Sequence, residues 1–124
     1  MSHPWQHYRD KTAQMENTEV LRHLYSLIGL DLTAFALSRL GVTSSDLANE
    51  LLNEAQSRKL ARDLLATALY IGQSEKRHVP RSWLICMHPG FDYEFPADLF
   101  RNGRADEVIS HLQNDGRLFF SLSA

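Results

Sequence analysis

From Thr18 to Gly72 the apolar residues return every three or four positions, and after Pro80 they no longer do. Leu21, Leu24, Ile28, Leu32 and Phe35 form one stripe; Leu60, Leu64, Leu65, Ala68 and Leu69 form another. This spacing puts each set on one side of an α-helix, which must then be buried against a neighbour. Thr18 reads as the N-cap of the first helix. Gly29 either interrupts it or is tolerated inside it at about 1 kcal/mol relative to alanine. Gly41 reads as a stop. Thr43-Ser44-Ser45-Asp46 has the spacing of a capping box, with aspartate in place of the usual glutamate. The helix it starts carries Leu47, Leu51, Leu52 and Ala55, which are out of phase with the Leu60 set. A break is therefore predicted near Gln56-Ser57, with Ser57 capping a new helix that Gly72 ends. Before all of this, Pro4 suits a first helical turn, with Trp5 and Tyr8 on one side of a short amphipathic segment.

The last third obeys a different rule. Trp83-Leu84-Ile85-Cys86-Met87 is apolar at every position and bounded by Pro80 and Pro89. A short run of this kind predicts a strand buried on both faces. Phe91-Asp92-Tyr93-Glu94-Phe95 alternates aromatic and acidic residues, the pattern of an extended segment with its rings on one face. Asn102-Gly103 then opens a helix with Ala105, Val108, Ile109 and Leu112 as its stripe and Asp106 and Glu107 in its first turn. Asp115-Gly116 turns the chain into Arg117–Leu122, a second predicted strand. The expected fold is α+β: one domain over 1–124, helical and bundle-like over 5–72, then a small β-α-β sheet element, strand–loop–helix–strand, over 82–122.

Bulk properties exclude more than they assign. The 124 residues suit one domain, and 44% hydrophobic with 23% charged residues is ordinary globular composition. A formal net charge of -2 gives no general attraction to nucleic acid or to anionic membrane. No apolar stretch approaches the ~20 residues of a membrane helix. A single cysteine cannot form an intramolecular disulfide, and the first residues lack an apolar signal core, so a cytoplasmic location is expected.

Cys86 and His88, two apart on a strand, would share a face, as a thiol enzyme or a metal site requires. Inside an apolar run, however, a cysteine reads as a buried small hydrophobe. Among the six histidines, His3 and His7 have a chelating spacing, but Pro4 lies between them, and nothing gathers four ligands. No metal and no cofactor is expected. Ala36 to Leu47 resembles the turn of a helix-turn-helix motif, a resemblance covering about twenty residues. It departs at Leu37, where the motif has a small residue, and its second helix carries Asp46, Glu50 and Glu54, which would repel phosphates. A basic cluster of Arg58, Lys59, Arg62, Lys76, Arg77 and Arg81 is interleaved with Glu54, Asp63 and Glu75, so it reads as a solvated face.

What remains is a surplus of aromatic residues in the C-terminal half, including Phe119 and Phe120. The sequence thus predicts a small non-enzymatic regulator, an antagonist, adaptor or immunity-type inhibitor, that binds another protein and forms a homodimer. Its expected contact surface is the segment Phe91–Phe100, with Phe91, Tyr93, Phe95 and Phe100 as the contact residues and Trp5 and Tyr8 as a second choice. Helix-turn-helix DNA binding is the first alternative, and a Cys86/His88 thiol or metal enzyme the second.

Overall fold

The computed structural model of the chain describes residues 4–74 and 79–113. Helices α1 (Pro4–Ala13), α2 (Asn17–Leu27), α3 (Leu30–Leu37), α4 (Ser44–Ala48), α5 (Ala55–Ser74), α6 (Pro80–Leu84) and α7 (Pro96–Arg101) follow one another. The last, α8, covers 105–113 of the described chain. Two 3-10 turns, Ser38–Leu40 and Pro89–Phe91, complete the order.

The helix α5 is the axis of the molecule. Residues 63 to 68 are buried at every position, so this stretch is enclosed on all sides. It packs against α1, α2, α3 and α6, while α3 also packs on α7. Trp5, Leu21, Leu24, Leu64, Leu65 and Ile71 are fully buried, and the α8 stripe of Ala105, Val108, Ile109 and Leu112 closes the core. The two stripes read from the sequence are thus largely core. Gly29 interrupts the first of them: it sits at φ +92°, and α2 meets α3 at a bend of 117°. Gly41 is a left-handed stop, and the Thr43–Asp46 capping box forms with both reciprocal bonds, 3.0 Å each.

Long side chains tie the turns to α5 and α3. Arg62 donates to the Met15 carbonyl (2.7 Å), to Asn17 Oδ1 (2.9 Å) and to the Arg58 carbonyl (3.1 Å). Arg58 donates to the Leu52 and Asn53 carbonyls. Arg81 donates to the Ile28 carbonyl and forms a two-pronged pair with Asp31. Guanidinium suits this work because its fork donates in several directions at once. Half of the sequence's basic cluster is therefore consumed inside the fold; Lys76 and Arg77 lie outside the described residues.

Several expectations are corrected. The α+β fold does not hold: the described chain is helical and contains no strand, only one antiparallel bridge between His88 and Glu94. The run Trp83–Met87 is the end of α6 and the turn after it. Pro80 opens that helix as its first residue, with Val79 extended before it. Trp83 and Leu84 are buried, and Ile85, Cys86 and Met87 are exposed. A run with no period carries no information about which way it turns, and here the chain leaves the helix after Leu84 and turns away from the core. The second predicted strand, Arg117–Leu122, lies outside the described residues. The alternation of Phe91–Phe95 is broken too, because Asp92 and Tyr93 take left-handed φ values of 54° and 64°. The break expected at Gln56-Ser57 falls earlier, in the irregular segment 49–54, and Ser57 is buried in the first turn of α5 instead of capping it. The Thr18 cap is misplaced by two residues, since Glu16 holds that position, and Gly72 lies inside α5 without ending it.

Candidate functional site

The chain between α6 and α7 is a loop of turns. Its root is aromatic. His88 is buried, its ring 5.1 Å from that of Trp83, and its Nε2 lies 3.0 Å from the Trp83 carbonyl oxygen. Phe91 points inward and meets Trp83, His88 and His111 edge-on, with centroids 6.5, 6.3 and 5.0 Å away. The His88 carbonyl accepts from the amides of Phe91 (3.0 Å) and Tyr93 (2.9 Å), and the Glu94 amide donates to the Phe91 carbonyl (3.0 Å). Arg104 pins the far side, reaching Glu94 at 3.0 Å and Glu107 at 2.6 Å. The Arg104 contact holds the Glu107 carboxyl below the usual range.

With its root fixed, the loop turns its remaining apolar residues outward. Tyr93 is 65% exposed, Met87 61%, Ile85 46% and Phe95 38%. Two consecutive non-glycine residues in the left-handed region are costly, and such strain concentrates where a side chain must be presented in a fixed direction. Beside the loop lies an apolar groove of about 450 Å³ lined by Leu32 and Phe35 of α3, by Ile85, and by Phe95 and Ala97 at the start of α7. The charged residues lining it are Asp31 and Asp98. Asp31 is held below the usual carboxylate range, first by its hydrogen bond from Arg81. Phe35 also carries the guanidinium of Arg101 over its ring at 4.9 Å.

The six residues expected to make contact separate into two groups. Tyr93 and Phe95 are at the surface, and Phe95 lines the groove. Phe91 is the inward anchor of the loop, Trp5 and Phe100 are fully buried, and Tyr8 is half-buried against Tyr70, with centroids 6.3 Å apart. Of the groove residues, Ala97 and Asp98 fall in the expected contact segment Phe91–Phe100, whereas Leu32 and Phe35 were read only as part of a helix stripe and Ile85 only as part of a strand. Only the proline opening α6 could have signalled Ile85, by ending one helical turn at the position where it faces solvent.

The other chemistries come out as follows. Cys86 is exposed, correcting the expectation of a core cysteine, whereas His88 is buried. The two do not form the shared face that a strand would have given. Among the described residues no three His, Cys, Asp or Glu side chains are grouped to hold a metal ion. Around Ala36 to Leu47, the helix that would enter a DNA groove is α4, five residues long with Asp46 in its first turn. Among the described residues no single helix is long and apolar enough to cross a membrane.

Comparison with protein-family models, with curated proteins and with solved structures finds no match to this chain.

Proposed function

We propose that this chain is a cytoplasmic regulatory protein that acts by binding another protein through the α6–α7 loop and the groove beside it, without catalysis of its own. The observation that carries the reading is the outward set Ile85, Met87, Tyr93 and Phe95 on a loop whose backbone is strained and whose root is locked. Exposed aromatic and aliphatic anchors on a rigid frame favour binding because little side-chain and backbone freedom remains to be lost. Ile85 and Phe95 line the same groove, and exposed apolar surface gathered in this way on a small domain is more often contact surface than chance.

The test compares wild type with Tyr93→Ser and Phe95→Ser as baits in a lysate of the native host, with Leu51→Ser as a control at an exposed apolar residue of the 49–54 segment. One dominant partner kept by wild type and the control and lost by the loop variants, at unchanged melting temperature, supports the reading. Equal capture by all four baits refutes it. Sedimentation of the same variants reads the homodimer expectation: a dimer dissociated by Tyr93→Ser would make a second copy the partner.

A further inference from the structure

The groove beside the loop does not end at Phe35. A second hollow of about 570 Å³ shares Asp31 and Phe35 with it and adds Val42, Thr43 and Arg101 to its walls. Asp31, Ala34, Phe35 and Ser38 follow the i, i+3, i+4, i+7 spacing, so one stripe along α3 and the turn after it lies under the whole trough. From Asp31 to Ser38 that floor runs about 10 Å, roughly two turns of helix.

An occupant of this trough must satisfy its own backbone. The described residues offer no strand edge, so an extended segment would find no ladder of amides and carbonyls to pair with. A helix needs none, because its main-chain bonds are internal, and it can lay a stripe of the same spacing onto an apolar floor. The charges differ between the two hollows. Asp31 is matched on both oxygens by Arg81. Asp98, which lines the first hollow, makes no ion pair among the described residues. Neither does Arg101, which lines the second and lies over the Phe35 ring at 4.9 Å. A negative end and a positive end ask for the opposite charges in whatever is seated there. Asp98 and Arg101 stand three apart on α7, so the matching charges lie about one turn apart. A second copy of this chain is the poorer occupant, because its outward loop would bring Asp92 and Glu94 along with Tyr93 and Phe95.

We infer that the trough receives an amphipathic helix of the partner, its apolar stripe on Phe35, Ile85 and Phe95, with a lysine or arginine at Asp98 and an aspartate or glutamate at Arg101. The inference rests on the groove being the binding surface proposed above and adds the class of segment that it takes.

The probe is a random peptide library displayed on phage and selected on the immobilised full chain, so no native partner is needed. Wild type should select apolar residues at helical spacing together with one basic and one acidic residue. Asp98→Asn should abolish the preference for the basic residue and keep the acidic one, and Arg101→Gln should do the reverse, so each variant is the control for the other. A synthetic copy of a peptide selected on wild type should bind each variant about two- to fivefold more weakly in fluorescence anisotropy, as expected of a partly exposed ion pair. Phe35→Ala, which removes the shared floor, should weaken it on the order of tenfold. Melting curves check that each variant is folded. The inference is overturned if wild type selects nothing, if the selected residues alternate as in a strand, or if both charge preferences survive both substitutions. Helical apolar peptides without any charge preference overturn it while leaving the binding-surface reading intact. Peptides bound equally by Phe95→Ser sit elsewhere and count against both. A wild-type dimer that Phe35→Ala dissociates would make a second copy the occupant and refute the inference.

Discussion

The same substitution should have opposite effects at two glycines, and the difference can be worked from the backbone. Gly29 joins α2 to α3 at φ +92° and ψ 155°. That region is essentially closed to residues with a side chain, and entering it costs on the order of 1–3 kcal/mol. A Cβ at this position would also stand 2.8 Å from Asp31 Oδ1 and 2.9 Å from Arg81 Nη1, inside ordinary contact distance. Gly29→Ala must therefore move the Arg81–Asp31 pair as well as strain the joint. Gly72 lies within α5, and a Cβ there meets only Pro80 Cγ, at an ordinary 3.5 Å. Gly72→Ala removes the flexibility penalty of a helical glycine and should stabilise by about 0.5–1 kcal/mol. With about 4 °C per kcal/mol for a chain of this length, Gly29→Ala should lower the melting temperature by roughly 4–12 °C, and Gly72→Ala should raise it by roughly 2–4 °C. Urea unfolding at fixed pH gives the free energies directly. Placing Gly29→Ala in an Asp31→Ala, Arg81→Ala double background removes both crowding side chains and leaves the backbone cost. The reasoning is refuted if both substitutions shift stability the same way, or if Gly29→Ala costs less than about 0.5 kcal/mol. If its cost vanishes in that double background, crowding and not φ is the cause.

Three other outcomes are expected. Tyr93→Gly relieves a left-handed residue and should raise stability by about 0.5–1 kcal/mol while abolishing partner capture, separating function from folding; a destabilised variant would show that the tyrosine is held by packing. Ser57 Oγ is buried with no hydrogen-bond partner among the described residues, so Ser57→Ala should stabilise by up to about 1 kcal/mol, whereas loss of stability on chemical denaturation would restore its reading as a helix cap. The carboxyls of Asp31 and Glu107 have folded pKa values below their ordinary ones, so their contribution is present above the unfolded values and is lost as pH falls through the folded ones. Stability should therefore decline on acidification through and below the ordinary carboxylate range, and Arg81→Met and Arg104→Met should each make that acid decline shallower in pH-dependent melts; an unchanged slope would mean that solvent screens these exposed pairs completely.

The sequence by itself determined the features whose physics is local or periodic. The Thr43–Asp46 capping box is made by bonds between residues three apart, so four letters suffice to specify it. Gly41 stops its helix because a left-handed residue is nearly free for glycine alone. The stripe of Ala105, Val108, Ile109 and Leu112 is buried because a helix has only one face to hide. Tertiary structure decided the rest. Trp83–Met87 has no period, and whether it becomes a strand or the end of a helix depends on whether a partner strand or a helical core lies opposite. Here α5 supplies a helical core, Trp83 and Leu84 turn into it, and Ile85, Cys86 and Met87 are left outside. The aromatic residues divide in the same way. Phe91 and Tyr93 differ little in letter and spacing, yet one fills the space between Trp83 and His111 while the other is turned out by two left-handed residues. Burial belongs to the volume that neighbouring elements leave open, and α3, α6, α7 and α8 set that volume only once they have packed.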